Sequence, residues 1–187
     1  MKFFKFYLGS LLFVFGLELI PNNINAQDVK LSRQEKKALE QSQLKANFQA
    51  IDTLIKRRTF VIEADFLKNQ NGVRVPVNSI LNFIMLDSSK VVLQTGSSYR
   101  LAYNGVGGVT AQGKILNYKV EKDSKKQSYT VRFSVMTSIG IFDVFMNIYS
   151  DTNASATISG LSRGQLTWDG SFQNLYNSSV FKGQETY

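Results

Sequence analysis

The residues that most often carry catalysis are missing from this chain: among its 187 residues there is no histidine and no cysteine. Ser-His-Asp and Cys-His triads, zinc fingers, haem sites and iron-sulfur clusters each lack an essential group. No disulfide can form, so stability must come from packing and hydrogen bonds. What remains for proton transfer is Asp, Glu, Lys and Tyr. Glu63 and Asp65 stand two apart in an alternating run with Phe60, Ile62, Ala64 and Phe66. Two carboxylates on one strand face are the raw material of acid-base hydrolysis, and a polar outer face is the simpler account of them. Ser42-Gln-Leu-Lys45 fits the S-x-x-K pattern in which a lysine helps deprotonate a serine, but the companion S-D-N and K-T-G elements are absent and the match falls inside a helical pattern.

Three further patterns point to ligands and read more simply as turns or surface. Gly105-Val-Gly107-Gly108 would cradle a phosphate only if it opened a helix, and Val109 to Lys119 reads as strand. Asp151-Thr-Asn153-Ala-Ser155 starts like a calcium loop, yet the sixth position is Ala156 and the twelfth Ser162. Lys114, Lys119, Lys122, Lys125, Lys126 and Arg132 crowd one hairpin, where solvation and protection of a sheet edge explain them. No residue is assigned a catalytic, cofactor-binding or metal-binding role, and no cofactor is expected. For binding, Phe145, Tyr149 and Trp168 offer aromatic surface to a lipid or a sugar, although most such residues simply fill cores.

The elements that must position these residues begin after an export signal. Lys2 and Lys5 precede an apolar run from about Phe6 to Ile20, then come Pro21, Asn22 and Asn23 and a small-residue end at Ala26. This is a signal peptide over 1–26, with cleavage expected between Ala26 and Gln27 and no transmembrane anchor afterwards. Cleavage removes two lysines and Glu18, lowering the formal net charge of +8 by one. Export makes nucleic acid an improbable partner for so basic a chain and leaves anionic glycans, lipid headgroups or another envelope protein.

The mature chain, 27–187, is expected to fold as one α+β domain. Ser32-Arg-Gln-Glu35 fits a capping box, and Leu44, Phe48, Ile51, Leu54 and Ile55 form an apolar stripe on a helix running to about Arg57. Lys56-Arg57-Arg58 suits the negative end of that helix. From Thr59 the period becomes two, with strands expected near 59–68, 73–77, 80–86, 90–95, 98–103, 109–121, 128–137, 141–150 and 155–160. The connections are too short for parallel crossovers, so the strands form an antiparallel meander. Residues 141–148 are apolar on both faces, which predicts a central strand covered by the sheet's own curl on one side and by the helix on the other. The expected architecture is an amphipathic helix on a curled sheet of eight or nine strands, open to closing as a partial barrel.

The stretch Gly107-Gly108-Val109-Thr110-Ala111-Gln112-Gly113, continued by Asn117-Tyr118-Lys119-Val120, resembles a secreted Bacteroidetes family catalogued as a domain of unknown function, DUF4251. Phe60 to Asp65, Val75-Pro76-Val77-Asn78 and Ser179-Val180-Phe181-Lys182-Gly183 resemble its first strand, second strand and terminal signature, so the likeness runs from about Leu44 to Gly183. Leu161 to Gly164 departs from it. The resemblance implies an extracytoplasmic protein of a Gram-negative cell and no particular activity. The reading is therefore a periplasmic, non-catalytic binding or interaction module, with a carboxylate-dependent hydrolase of envelope glycans as the alternative.

Overall fold

The computed structural model describes residues 32–97, 105–161 and 164–187. The signal segment and the expected strand at 98–103 lie outside them. The helix α1 spans Arg33–Arg57, and its capping box forms as the sequence predicts. Glu35 N donates to Ser32 Oγ at 3.2 Å, and Ser32 N donates to Glu35 Oε2 at 2.7 Å. That backbone hydrogen bond holds the Glu35 carboxyl below its ordinary range. The first turns are exposed, and Phe48, Ile51 and Ile55 carry the buried stripe. Arg58 ends the helix in the left-handed region.

Nine antiparallel strands follow: β1 (Thr59–Asn69), β2 (Arg74–Pro76), β3 (Phe83–Asp87), β4 (Lys90–Thr95), β5 (Val109–Asp123), β6 (Ser128–Thr137), β7 (Gly140–Tyr149), β8 (Asn153–Leu161) and β9 (Gly164–Asn174). The meander is as expected, but the sheet is neither an open curl nor a partial barrel. β9 pairs back onto β1 from Phe60↔Asn174 to Asn69↔Leu166, closing eight strands into a barrel with β2 as an extra strand on β1. Strand β9 was absent from the expected set. Its sequence, GQLTWDGSFQN, carries two glycines and few apolar residues, so the alternation that marks a strand is faint. Part of the expected strand at 80–86 is a turn instead, because the Asn78 side chain takes the Ile80 amide and its carbonyl those of Leu81 and Asn82.

One face of every barrel strand points inward. Phe60 and Ile62 of β1, Ile84 and Leu86 of β3, Val91 and Leu93 of β4, the Tyr129 to Val135 alternation of β6 and the Phe142 to Ile148 alternation of β7 meet in one core. Outward positions such as Thr130, Arg132 and Ser134 reach water to varying degrees. This is the reverse of a membrane-spanning barrel, which turns its apolar band outward. No described helix is long and apolar enough to cross a membrane.

Strand β7 corrects the expectation of a doubly covered central strand. Its inner face is buried, but Ile141 on the outer face is 59% exposed and Phe145 36%. The helix goes elsewhere, to the barrel end formed by the end of β5 and the starts of β1 and β6. There the Phe48 ring packs on Tyr129 at 4.8 Å, Tyr129 Oη donates to Asp52 Oδ1 at 2.9 Å, and Tyr118 Oη donates to Ile55 O at 3.0 Å. The Arg58 guanidinium covers the Tyr118 ring. Lys122 is thus no mere solvated charge: its Nζ donates to Asp52 Oδ1 at 3.0 Å and lies over Phe48 and Tyr129. Burial of Phe48, Ile51 and Ile55 contributes about 1.5–3 kcal/mol each, so the helix closes this end of the barrel firmly.

Asp52 receives hydrogen bonds from Lys56, Lys122 and Tyr129, and those of the two lysines above all hold its carboxyl well below the usual range. A depressed folded-state pKa stabilises the fold above the unfolded carboxyl value of about 3.9, and that contribution is lost as pH falls toward the folded value. Asp52→Asn should therefore cost about 1 kcal/mol near neutrality. The gap from wild type should narrow below about pH 4. Urea midpoints at pH 7 and pH 3 check this, and an equal gap at both would refute it.

Candidate functional site

The barrel end opposite the helix is built differently. Here the end of β4, the starts of β5 and β7, the end of β8 and the start of β9 bring Leu93, Thr95, Val109, Ala111, Phe142, Ile158, Leu166 and Trp168 around a cavity of about 110 Å³, with Ile139 at its rim. Ala111 and Thr95 put short side chains where neighbouring strands put long ones, which leaves the space. An eight-stranded barrel is just wide enough either to be filled by its own side chains or to hold one small ligand. This one does the first at the helix end and leaves room for the second at its mouth.

The cavity wall offers hydrocarbon and almost nothing else. Thr95 Oγ1 accepts the Val109 amide at 3.3 Å, and the Trp168 indole donates to Gln94 O at 3.2 Å. Trp168 is 3% exposed and Phe142 4%. Among the described residues no cluster of three or more acidic, His or Cys side chains could hold a metal.

Behind this wall, on the outer side of the same strands, lies the C-terminal segment. Gln94 is fully buried, and its side-chain amide joins four groups. Nε2 donates to Leu81 O at 3.1 Å and to Phe181 O at 2.8 Å, while Oε1 accepts from Gly183 N at 2.8 Å and Thr110 Oγ1 at 3.0 Å. Thr186 N donates to Thr110 O, Lys182 Nζ to Gln112 Oε1, and Ser138 Oγ to Glu185 Oε1. The 3-10 turn at Leu175–Asn177 and the residues after it cover a second apolar cluster of Val61, Phe83 and Val92, to which Leu175 and Val180 add cover. Gly108 is needed where it stands, since a Cβ there would lie 2.2 Å from Thr95 O. The segments GGVTAQG and VFKG, far apart in sequence, are thus neighbours that together form and back one wall of the cavity.

The three aromatic residues singled out in the sequence are separated by the fold. Trp168 lines the cavity. Phe145 and Tyr149 stand outside, Phe145 with Arg132 over its ring at 5.1 Å in a shallow groove shared with Ser134, Asp143 and Thr157. Of the carboxylates, Glu63 Oε1 accepts the Ser178 hydroxyl at 2.6 Å. Asp65 sits in a bulge between Ala64 and Phe66. That extra residue breaks the alternation, so Leu67 rather than Phe66 joins the core, and Phe66 lies under the Arg74 guanidinium at 3.6 Å. Ser42 and Lys45 are exposed on the first half of α1. Gly105 and Gly107 take positive φ in a bend, while Asp151 accepts the Asn153 amide in a turn. Sequence reasoning missed Gln94, whose only local signal is a single amide in the apolar run Val91-Val92-Leu93.

A family model for a domain of unknown function, DUF4251, matches residues 42–172, well over half of the chain. The chain belongs to the DUF4251 family. A solved structure agrees: the crystal structure of a DUF4251 family protein from Bacteroides eggerthii DSM 20697 is 26% identical, with a TM-score of 0.60 over 73% of this chain and 93% of that one. No curated protein matches. The DUF4251 match ends at residue 172, two residues before β9 ends, so the C-terminal segment that backs the cavity lies beyond it.

Proposed function

We propose that the mature protein is a non-catalytic binding module of the periplasm that takes a small apolar group into the mouth of its barrel. One observation carries the reading: the core, filled at the helix end, gives way at the mouth to an apolar space of about 110 Å³ walled by Trp168 and Phe142. The apolar side chains around it lack packing partners across that space, and an occupant would supply them. The periplasmic assignment rests on the signal peptide and on an inward-facing core that suits a water-exposed domain. Intact mass of protein from a native periplasmic fraction should correspond to a chain starting at Gln27, and a mass that includes Met1 would overturn export.

Trp168 is the chain's one tryptophan, so its emission reports on the cavity wall alone. Cyclopropane, a small apolar probe, should shift that emission saturably. Ala111→Leu should abolish the shift by filling the space, with stability equal to wild type or higher by about 1 kcal/mol. A linear, non-saturating response, or one that survives in the filled variant with its fold intact, would remove the cavity from the account.

A further inference from the structure

We infer that the occupant is the hydrocarbon end of a single-chain amphiphile, held end-on with its polar group left in water. The inference rests on the mouth being a binding site and names what enters it. The described wall has little polarity to spare: the Trp168 indole is engaged with Gln94 O, and Thr95 Oγ1, which already accepts the Val109 amide, keeps a single hydroxyl proton to donate. A polar ligand group drawn inside would lose its water and gain at most that one hydrogen bond in exchange. Among the described residues the site opens only at the mouth. Farther down the barrel Phe133, Val144 and Ala156 are buried, and α1 closes the far end, so anything longer than the cavity must emerge at the mouth.

What it meets there is aliphatic. Val109 and Ile139 line the cavity and are 42% and 36% exposed, and at the same ends of β6 and β7, on the outer face, the cross-strand partners Met136 and Ile141 are 51% and 59% exposed. A small hydrocarbon would leave that surface wet, whereas the middle of a longer chain would cover it. Among the described residues the charges bordering it are one of each sign, Glu185 beside Ser138 and Lys182 beside Gln112, and such a pair favours neither an anionic nor a cationic headgroup. Size sets the buried length. An apolar cavity of about 150 Å³ takes benzene. One of about 110 Å³ takes some four or five carbons.

The test is a series of straight-chain alcohols, carboxylates and trimethylammonium salts from two to twelve carbons, titrated below their micelle concentrations and followed by Trp168 emission. Affinity should tighten about fourfold per added methylene until the cavity is full at about five carbons. Beyond that length the gain per carbon should fall below about twofold, while the three headgroups agree within about threefold at equal length. Affinity that ignores chain length, or that differs more than about tenfold between headgroups, overturns the inference. If cyclopropane shifts the emission and no alkyl chain does, the cavity remains a binding site and the amphiphile is wrong. If neither does, both readings fall.

Discussion

Gly170→Val should leave the barrel unable to close. In the register of β8, β9 and β1, Ala154, Gly170 and Ala64 form one row of small residues across three strands. A Cβ at position 170 would lie 2.0 Å from Glu63 O and 2.9 Å from both Ala64 Cα and Asp65 N, all backbone atoms. No rotamer change relieves that, so β9 must move away from β1 and the antiparallel ladder that joins the ends of the meander is lost. Overpacking a core usually costs about 1–3 kcal/mol, and adding the lost pairing places the expected cost above about 3 kcal/mol. For a domain of this size that lowers Tm by about 10 °C or leaves it unfolded at 37 °C. Calorimetry of the mature variant decides the matter. A Tm within about 2 °C of wild type would mean that closure does not depend on this approach.

Gln94→Ala should release the C-terminal segment. It removes two donors and one doubly used acceptor from a buried position, leaving Leu81 O, Phe181 O and Gly183 N short of a partner and taking one bond from Thr110 Oγ1. Each unsatisfied buried group costs roughly 1–3 kcal/mol. Part of that is recovered when the segment lifts into water, so a net loss of about 3–4 kcal/mol is expected. A sharper readout than stability is available, because Lys182-Gly183 is a tryptic bond whose Gly183 amide is tied to Gln94. Brief trypsin treatment under native conditions should cut the variant after Lys182 and spare the wild type. Equal resistance of the two proteins would show that Gln94 does not hold the segment.

What could be read in the sequence is what is local. The capping box at Ser32 and Glu35, the stripe through Phe48, Ile51 and Ile55, and the alternation of β6 are each decided within a few residues, and the structure has them as expected. Barrel closure is a pairing between residues about a hundred positions apart, and its second partner, β9, hides behind glycines and polar residues. The bulge at Asp65 reverses the facing of Phe66 and Leu67 without any mark in residue type. The site shows the same division. Trp168 was legible as an aromatic candidate, but its grouping with Leu93, Val109 and Ile158 rather than with Phe145 and Tyr149 depends on which face of four different strands turns inward. Gln94 is a single polar residue in an apolar strand until the chain's last residues arrive to give it partners.

The central claim, that the barrel mouth holds a preformed apolar site, is tested most directly by a crystal structure of the mature protein under xenon pressure, since xenon enters dry apolar cavities without needing any polar contact. A xenon atom is expected between Leu93, Phe142 and Trp168, with the backbone of β4, β5 and β9 unmoved. Side chains collapsed into that space, or ordered water within it while xenon binds elsewhere, would contradict the account.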